Sequence, residues 1–203
     1  RLSSLTAGQI YLSLISKERR GDYLGGTIQT VSHVTNEIKE RIRILARASK
    51  AEVVVVEVGG TVGDIEGQPF LESIRQMRNE VGRDNVFYTH LTFLPFINST
   101  GELKPKPTQH SVRELRSIGI QPDAIVCRSD VPVTEDIPNK ISIHCDVTPE
   151  EVITLPTLES VYEVPIVLEN SGLGELIIDR IGLEVKDQNY SNGWDSLVEL
   201  ISQ

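Results

Sequence analysis

Residues Val53 to Val56 are four consecutive valines, and the run around them, AEVVVVEVGG from Ala51 to Gly60, closes on two glycines. No other segment of the 203-residue chain narrows the fold as much. The run is short, β-branched and continuous rather than alternating. That pattern suits a strand covered on both faces, as in a parallel sheet. It predicts a buried strand over 51–60.

The segments around it fit the same architecture. Ile28, Val31, Val34, Ile38, Ile42 and Leu45 recur every three or four residues with charged residues between, which predicts a helix. A second helix is expected from Pro69 to Val81, closed by Gly82, and a third from Ser111 to Gly119. Val86–Phe96, Asp123–Asp130 and Lys140–Val147 read as further strands. Beyond Thr148 the chain reads as helical with Pro and Gly interruptions, ending in an amphipathic segment from Trp194 to Ile201. The first five residues open no recognisable element. Strands alternating with helices at this spacing imply βαβ units with right-handed crossovers. The expected fold class is α/β, a mostly parallel sheet flanked by helices. In such sheets ligands bind outside the carboxyl ends of the strands.

Charge and composition exclude several roles. Lys plus Arg number 20 and Asp plus Glu 29, a net charge of −9, which argues against affinity for nucleic acid built on phosphate neutralisation. A local basic pocket for a small polyphosphate remains compatible with that total. No apolar run reaches the ~18 residues of a membrane span, and no leader pattern is evident, so no membrane partner and a cytoplasmic location are expected. Cys127 and Cys145 are in no CxxC pair and read as reduced, buried cysteines. A chain of this length buries roughly 70% of its unfolded surface and needs no disulfide.

Four groups of residues stand at expected strand ends or turns. Glu57 closes the valine strand ahead of GGTVGDIE, where a carboxylate is suited to Mg²⁺ beside a nucleotide or is simply solvated. Asp64 and Glu66 are placed either to cap the next helix or to accept hydrogen bonds from a ligand. In ELKPKPTQHS, Lys104 and Lys106 are separated and followed by prolines, and Thr108 and Gln109 open a helix. Lysines beside a helix N-terminus make an anion site. Arg128 and Lys140 add positive charge near strand ends. Gln29 and His33 are four apart and are expected to share a helix face.

Taken together, KERRGDYLGGTIQ, HVTNEIK, VEVGGTVGDIE, PFLESIRQ, KPKPTQHSVRELRSIGIQPD and CRSD resemble the CTP synthase family, in its N-terminal amidoligase domain. The likeness runs from about Thr6 to Leu183. It implies a partial amidoligase domain over 1–183 of P-loop NTPase, dethiobiotin-synthetase-like architecture with three layers, and a helical tail over 184–203. It implies a ligase of pyrimidine nucleotide synthesis: ATP-dependent amination of UTP to CTP through a 4-phosphorylated UTP, with ammonia from a glutaminase domain. Mg²⁺ and ATP are the implied cofactors, GTP an activator, and the assembly a homotetramer with nucleotide sites across subunits. By position, the resemblance assigns Glu57 to magnesium and Asp64, Ile65 and Glu66 to inhibitory CTP. It assigns Lys104, Pro105, Lys106, Pro107, Thr108, Gln109 and Lys140 to UTP and CTP. Arg128 and Leu158 fall near the adenine of ATP, and Gln29 and His33 near the pyrimidine nucleotide.

The chain also departs from that family. Pro156 and Thr157 replace a basic residue and Asp, and His144 stands where an aromatic residue is common. No GxxxxGK[ST] phosphate loop occurs in these residues, and there is no cysteine nucleophile with a downstream His–Glu pair. The expectation is a piece of the synthetase domain, without its phosphate-loop segment or glutaminase domain and inactive alone. No catalytic residue is assigned with certainty. A related carboxylate ligase and a nucleotide-sensing assembly module are the alternatives.

Overall fold

The computed structural model describes residues 3–184 and 191–201. The chain divides into two compact units, residues 1–81 and 82–203.

The first unit is helical. Helix α1 spans Ala7–Arg19, α2 Thr35–Ser49 and α3 Gln68–Val81. Helix α1 starts on a capping box: Thr6 Oγ1 accepts from the Gln9 N–H at 3.3 Å, and Gln9 Oε1 accepts from the Thr6 N–H at 3.1 Å. Ile10 and Leu14 of α1 are buried with Val34 and Ile38. A wide turn at Thr30–Val34 leads into α2, with Val31 outside helical geometry (φ −99°, ψ 105°), so the helix expected from Ile28 begins later. Charge pins α2 to its neighbours. Glu37 is buried among Ser13, Lys17 and Arg41, and Lys39 is held by Gln76 at 2.7 Å and Glu80 at 2.6 Å.

The valine run is not a strand. Residues 51–60 pair with no other strand, and among the described residues the first unit contains only helices and turns. Val54 and Val58 are half-buried beside Ile38, Ile42, Phe70 and Ile74, whereas Val55 is 89% exposed. A strand is defined by hydrogen bonds to a neighbour. Without a neighbouring strand to pair with, this segment half-buries Val54 and Val58 and leaves Val53, Val55 and Val56 exposed.

The second unit holds the sheet. Strands β1 (Thr89–Leu94), β4 (Ala124–Ser129) and β5 (Val152–Pro156) lie in that order and all parallel, with Thr89 opposite Ala124 and Ile125 opposite Val152. Between β1 and β4 come a short antiparallel hairpin, β2 (Phe96–Ile97) with β3 (Glu102–Leu103), and helix α4 (Lys106–Ile118). Helix α5 (Asp136–Cys145) joins β4 to β5. Helices α6 (Val164–Asn170) and α7 (Leu173–Ile181) follow, then α8 (Ser191–Ile201).

Alternation along β4 makes two cores. Ile125 and Cys127 join Leu94, Val112, Ile137, Ile141 and Cys145, from β1, α4 and α5. Ala124 and Val126 join Ile153, Leu155 and Leu173, with Val164 and Val167 of α6 packed against them. The sheet is therefore covered on both faces, the α/β arrangement expected from the sequence. At the foot of β4, Asp123 accepts from the Tyr88 N–H at 2.7 Å and pairs with Arg180 of α7 at 3.0 Å. Trp194 of α8 donates to the Tyr162 carbonyl at 2.7 Å. Among the described residues no helix is long and apolar enough to cross a membrane.

Three expectations for this unit do not hold. Lys140–Val147 is not a strand: residues 140–145 are the second half of α5, because the apolar spacing that is buried there is Ile137, Ile141 and Cys145, a period of four. The third strand of the sheet comes instead from Val152–Pro156, inside the stretch expected to be helical. Helix α4 also starts at Lys106 rather than Ser111.

Candidate functional site

In the first unit the candidate residues lie on turns. Gln29 is not helical. Its backbone is extended (φ −117°, ψ 147°), so it shares no helix face with His33. The two are nevertheless joined: the Gln29 N–H donates to His33 Nδ1 at 2.9 Å, and the His33 N–H donates to the Gln29 carbonyl at 3.1 Å. An accepting Nδ1 puts the imidazole proton on Nε2. Tyr23 meets this ring edge-on at 4.9 Å between centroids.

Glu57 is exposed and makes no ion pair among the described residues. The turn after it uses glycine where only glycine is at ease: Gly60 (φ +97°) and Gly63 (φ +104°) take backbone conformations that a side chain disfavours. Asp64 precedes a single 3₁₀ turn, Ile65–Gly67, without capping it through its side chain. Its carboxylate, that of Glu66 and the apolar Ile65, 80% exposed, all face outward. The capping alternative for Asp64 is therefore not realised.

In the second unit the site grows from the end of β1. The chain leaves Leu94, forms the β2–β3 hairpin with Phe96 opposite Leu103 and Ile97 opposite Glu102, and enters α4. The Lys104 N–H donates to the Pro95 carbonyl at 2.9 Å, tying the lysine's backbone to the strand end. Pro105 is the N-cap of α4 and Pro107 lies in its first turn; no side chain caps this end. Uncapped N–H groups at the positive end of a helix dipole favour an anion.

Two lysines of the basic set each pair with a carboxylate close by in the chain. Lys104 Nζ lies 2.5 Å from Glu102 Oε2, and Lys140 Nζ lies 2.5 Å from Asp136 Oδ2 one turn earlier on α5. The hydrogen bond and charge of Lys104 hold the Glu102 carboxyl below its ordinary range, and the charge of Lys140 acts in the same direction. Lys104 and Lys140, 36 positions apart in sequence, thus act on one carboxylate. Lys106 and Pro107 are exposed and Pro105 half-buried. Thr108 is not on the surface: it is fully buried, its hydroxyl 3.1 Å from that of Thr92 on β1.

Gln109 borders a shallow depression of about 320 Å³ that also involves His110, Arg113, Arg116 and His144. The two arginines escaped the sequence reading. Their spacing of three on one helix, beginning four residues after Gln109, was the available signal.

Arg128 is exposed near the end of β4, opposite Phe93 and Leu155. Leu158 packs against the core formed by Ile153 and Leu155, so its side chain faces inward and its backbone is what remains for a ligand. Buried His90 on β1 reaches the Ser111 hydroxyl at 2.9 Å, and burial lowers its pKa.

A lone carboxylate suits magnesium only in part. Among the described residues no three His, Cys, Asp or Glu side chains gather as a metal site. Mg²⁺ beside a nucleotide commonly takes one or two carboxylates and completes its shell with phosphate and water, which an exposed Glu57 fits.

Comparison with known proteins agrees with this anatomy. The family described as CTP synthase N-terminus matches residues 1–183. A CTP synthase of Dehalococcoides mccartyi is 62% identical over 201 residues, 99% of this chain and 37% of that protein. Those of Thermomicrobium roseum and Chloroflexus aggregans are 58% and 59% identical over 199 and 203 residues, 98% and 100% of this chain. The chain spans little more than a third of the length of these relatives, 36% and 37% of the latter two. The chain belongs to the CTP synthase N-terminal family.

Proposed function

We propose that this chain is the synthetase part of a glutamine-hydrolysing ligase that aminates UTP to CTP. The observation that supports it best is Lys104 standing directly before the uncapped N-terminus of α4, with Lys140 of α5 near enough that its charge acts on Glu102 beside it. Two ammonium groups and free backbone N–H groups suit the triphosphate of a pyrimidine nucleotide. Lys104, Lys106 and Gln109 line it, Lys140 reaches it from α5, and Pro105 and Pro107 keep the loop stiff. Thr108 contributes through the hydrogen bond to Thr92 on β1 that fixes the helix's first turn. Asp64, Ile65 and Glu66 present two carboxylates and an apolar group to CTP as inhibitor. Gln29 and His33 offer the Nε2–H donor near the pyrimidine nucleotide. Glu57 holds magnesium, and Arg128 with the Leu158 backbone flanks adenine. Mg²⁺ and ATP, when bound, supply the phosphoryl group that turns the uracil 4-oxygen into a leaving group.

The same reading implies a glutaminase partner domain, GTP as activator, a homotetramer and a cytoplasmic enzyme. The 203 residues contain no phosphate loop with its lysine, so the isolated chain is expected to form no CTP from UTP, ATP, Mg²⁺ and ammonia. Detection of CTP by chromatography would overturn that point. The binding reading is tested by thermal unfolding with UTP, CTP and diaminopelargonate. A ligand at about 100 times its Kd adds about 2.7 kcal/mol of stability. Stabilisation by UTP and CTP but not by diaminopelargonate, lost in Lys104→Ala and Lys140→Ala, is the expected result. No stabilisation by either nucleotide would sink it.

A further inference from the structure

Two of the three lysines expected at the triphosphate, Lys104 and Lys140, are already engaged by carboxylates of the same chain. Glu102 Oε2 and Asp136 Oδ2 each lie 2.5 Å from a lysine Nζ. An oxygen at that distance stands where a phosphate oxygen would sit. Each carboxylate is carried by a regular element. Glu102 belongs to the hairpin, opposite Ile97. Asp136 Oδ1 accepts from the Thr134 hydroxyl at 2.6 Å, leaving Oδ2 for Lys140. By contrast, Lys106 and Arg113 make no ion pair among the described residues.

We propose that Glu102 and Asp136 are internal counter-ions of the triphosphate site, so that nucleotide binding exchanges one anion for another. This inference rests on the triphosphate reading above and adds what sets the affinity of that site. Two consequences follow from the exchange. First, each carboxylate lowers affinity by the strength of its lysine pair. Exposed pairs are weak, equivalent to about 1.5- to 5-fold in a binding constant. Second, the displaced counter-ion is part of the protein and not a salt ion from solution, which flattens the salt dependence of binding. Without the carboxylate, salt anions gather at the lysines and are released by the ligand, and affinity then falls more steeply with salt.

The test is isothermal titration of the 203-residue chain with CTP, and with inorganic tripolyphosphate as a charge-only probe, at low and moderate NaCl. Glu102→Gln and Asp136→Asn are each expected to tighten both ligands about 1.5- to 5-fold at low salt and to steepen the salt dependence. Glu114→Gln is the control. It removes one negative charge from exposed α4 surface where, among the described residues, Glu114 has no basic partner, and it should leave both properties unchanged. Binding by the wild type that is unaltered or weakened in Glu102→Gln overturns the inference alone, as does an equal gain in Glu114→Gln. Failure of the wild type and every variant to bind either probe overturns the triphosphate reading and the inference with it.

Discussion

Lys39 on α2 places its ammonium 2.6 Å from Glu80 Oε1 on α3 while remaining only 3% exposed. A buried ammonium needs its partners, and Gln76 supplies the other at 2.7 Å. Glu80→Gln leaves this charge with neutral acceptors only and should cost about 1–3 kcal/mol in urea unfolding. Lys39→Met, which removes the charge and keeps the stem's volume, should cost less than Glu80→Gln. The reverse order would show that the pair does not hold α2 to α3.

The same carboxylates give the first unit a pH dependence. Hydrogen bonding and charge from Lys39 hold Glu80 below the ordinary carboxylate range. Burial pushes Glu37 upward, but Lys17, Ser13 and Arg41 together hold it lower still. A carboxyl with a lower pKa folded than unfolded adds stability above its unfolded pKa, and that stability is lost as pH falls through the folded value. Unfolding free energy should therefore fall as pH drops below the usual carboxylate range. The slope should be shallower in Glu37→Gln and Glu80→Gln. Equal slopes in wild type and both variants would contradict the assignment.

Ile141 and Ile143 separate the helical from the extended form of residues 140–145. In a strand the two would share a face; in α5, Ile141 is 0% exposed and Ile143 80% exposed. Ile141→Ala should cost about 2–5 kcal/mol, and Ile143→Ala should stay within about 0.5 kcal/mol of wild type. Equal costs would restore the strand.

Burial pushes the Cys127 thiol up to about 12 and the Cys145 thiol up to about 11. Thiolate is the reactive form. Neither residue should react with a thiol reagent in the native chain at pH 8, and both should react in denaturant. Prompt labelling of the folded protein would contradict their burial.

Thr108 lies inside the motif assigned to the nucleotide, yet its hydroxyl faces Thr92. Thr108→Val removes the hydrogen bond to half-buried Thr92 and should cost about 0.5–1.5 kcal/mol of stability. Thr108→Ser keeps the hydroxyl and should leave CTP affinity near wild type. A loss of CTP affinity in Thr108→Ser without loss of stability would mean that this side chain touches ligand.

These contrasts show what could be read from the sequence. Asp123–Asp130 was legible because β4 is covered on both faces, so its apolar run is continuous and its neighbours are turns. The KPKPTQ segment was legible because lysine, proline and a helix start coincide. Residues 51–60 carry an equally strong β-branched signal, but in this unit no neighbouring backbone answers it, and pairing is not encoded by one segment. Residues 140–147 misled for another reason: Ile141, Ile143 and Cys145 satisfy a period of two, and only Ile137, earlier in the chain, makes the period four. Helix α1 was missed although Thr6 and Gln9 form a capping box. Its stripe is thin, with Ile10 and Leu14 buried and Leu12 and Ile15 exposed. The nearness of Lys140 to Glu102, close enough for its charge to act there, belongs to tertiary structure and no spacing rule reaches it.

The bond from the Lys104 N–H to the Pro95 carbonyl bears on the entropy of recognition. A lysine on a free loop would surrender backbone and side-chain freedom on meeting a ligand, about 1–2 kcal/mol for the backbone of each residue that becomes ordered. Here the hairpin and the two prolines have already restricted the main chain before any ligand arrives. What is left to restrain is chiefly a chain of four methylenes, so this loop can answer a nucleotide by turning side-chain torsions alone, on the nanosecond scale of rotamer exchange.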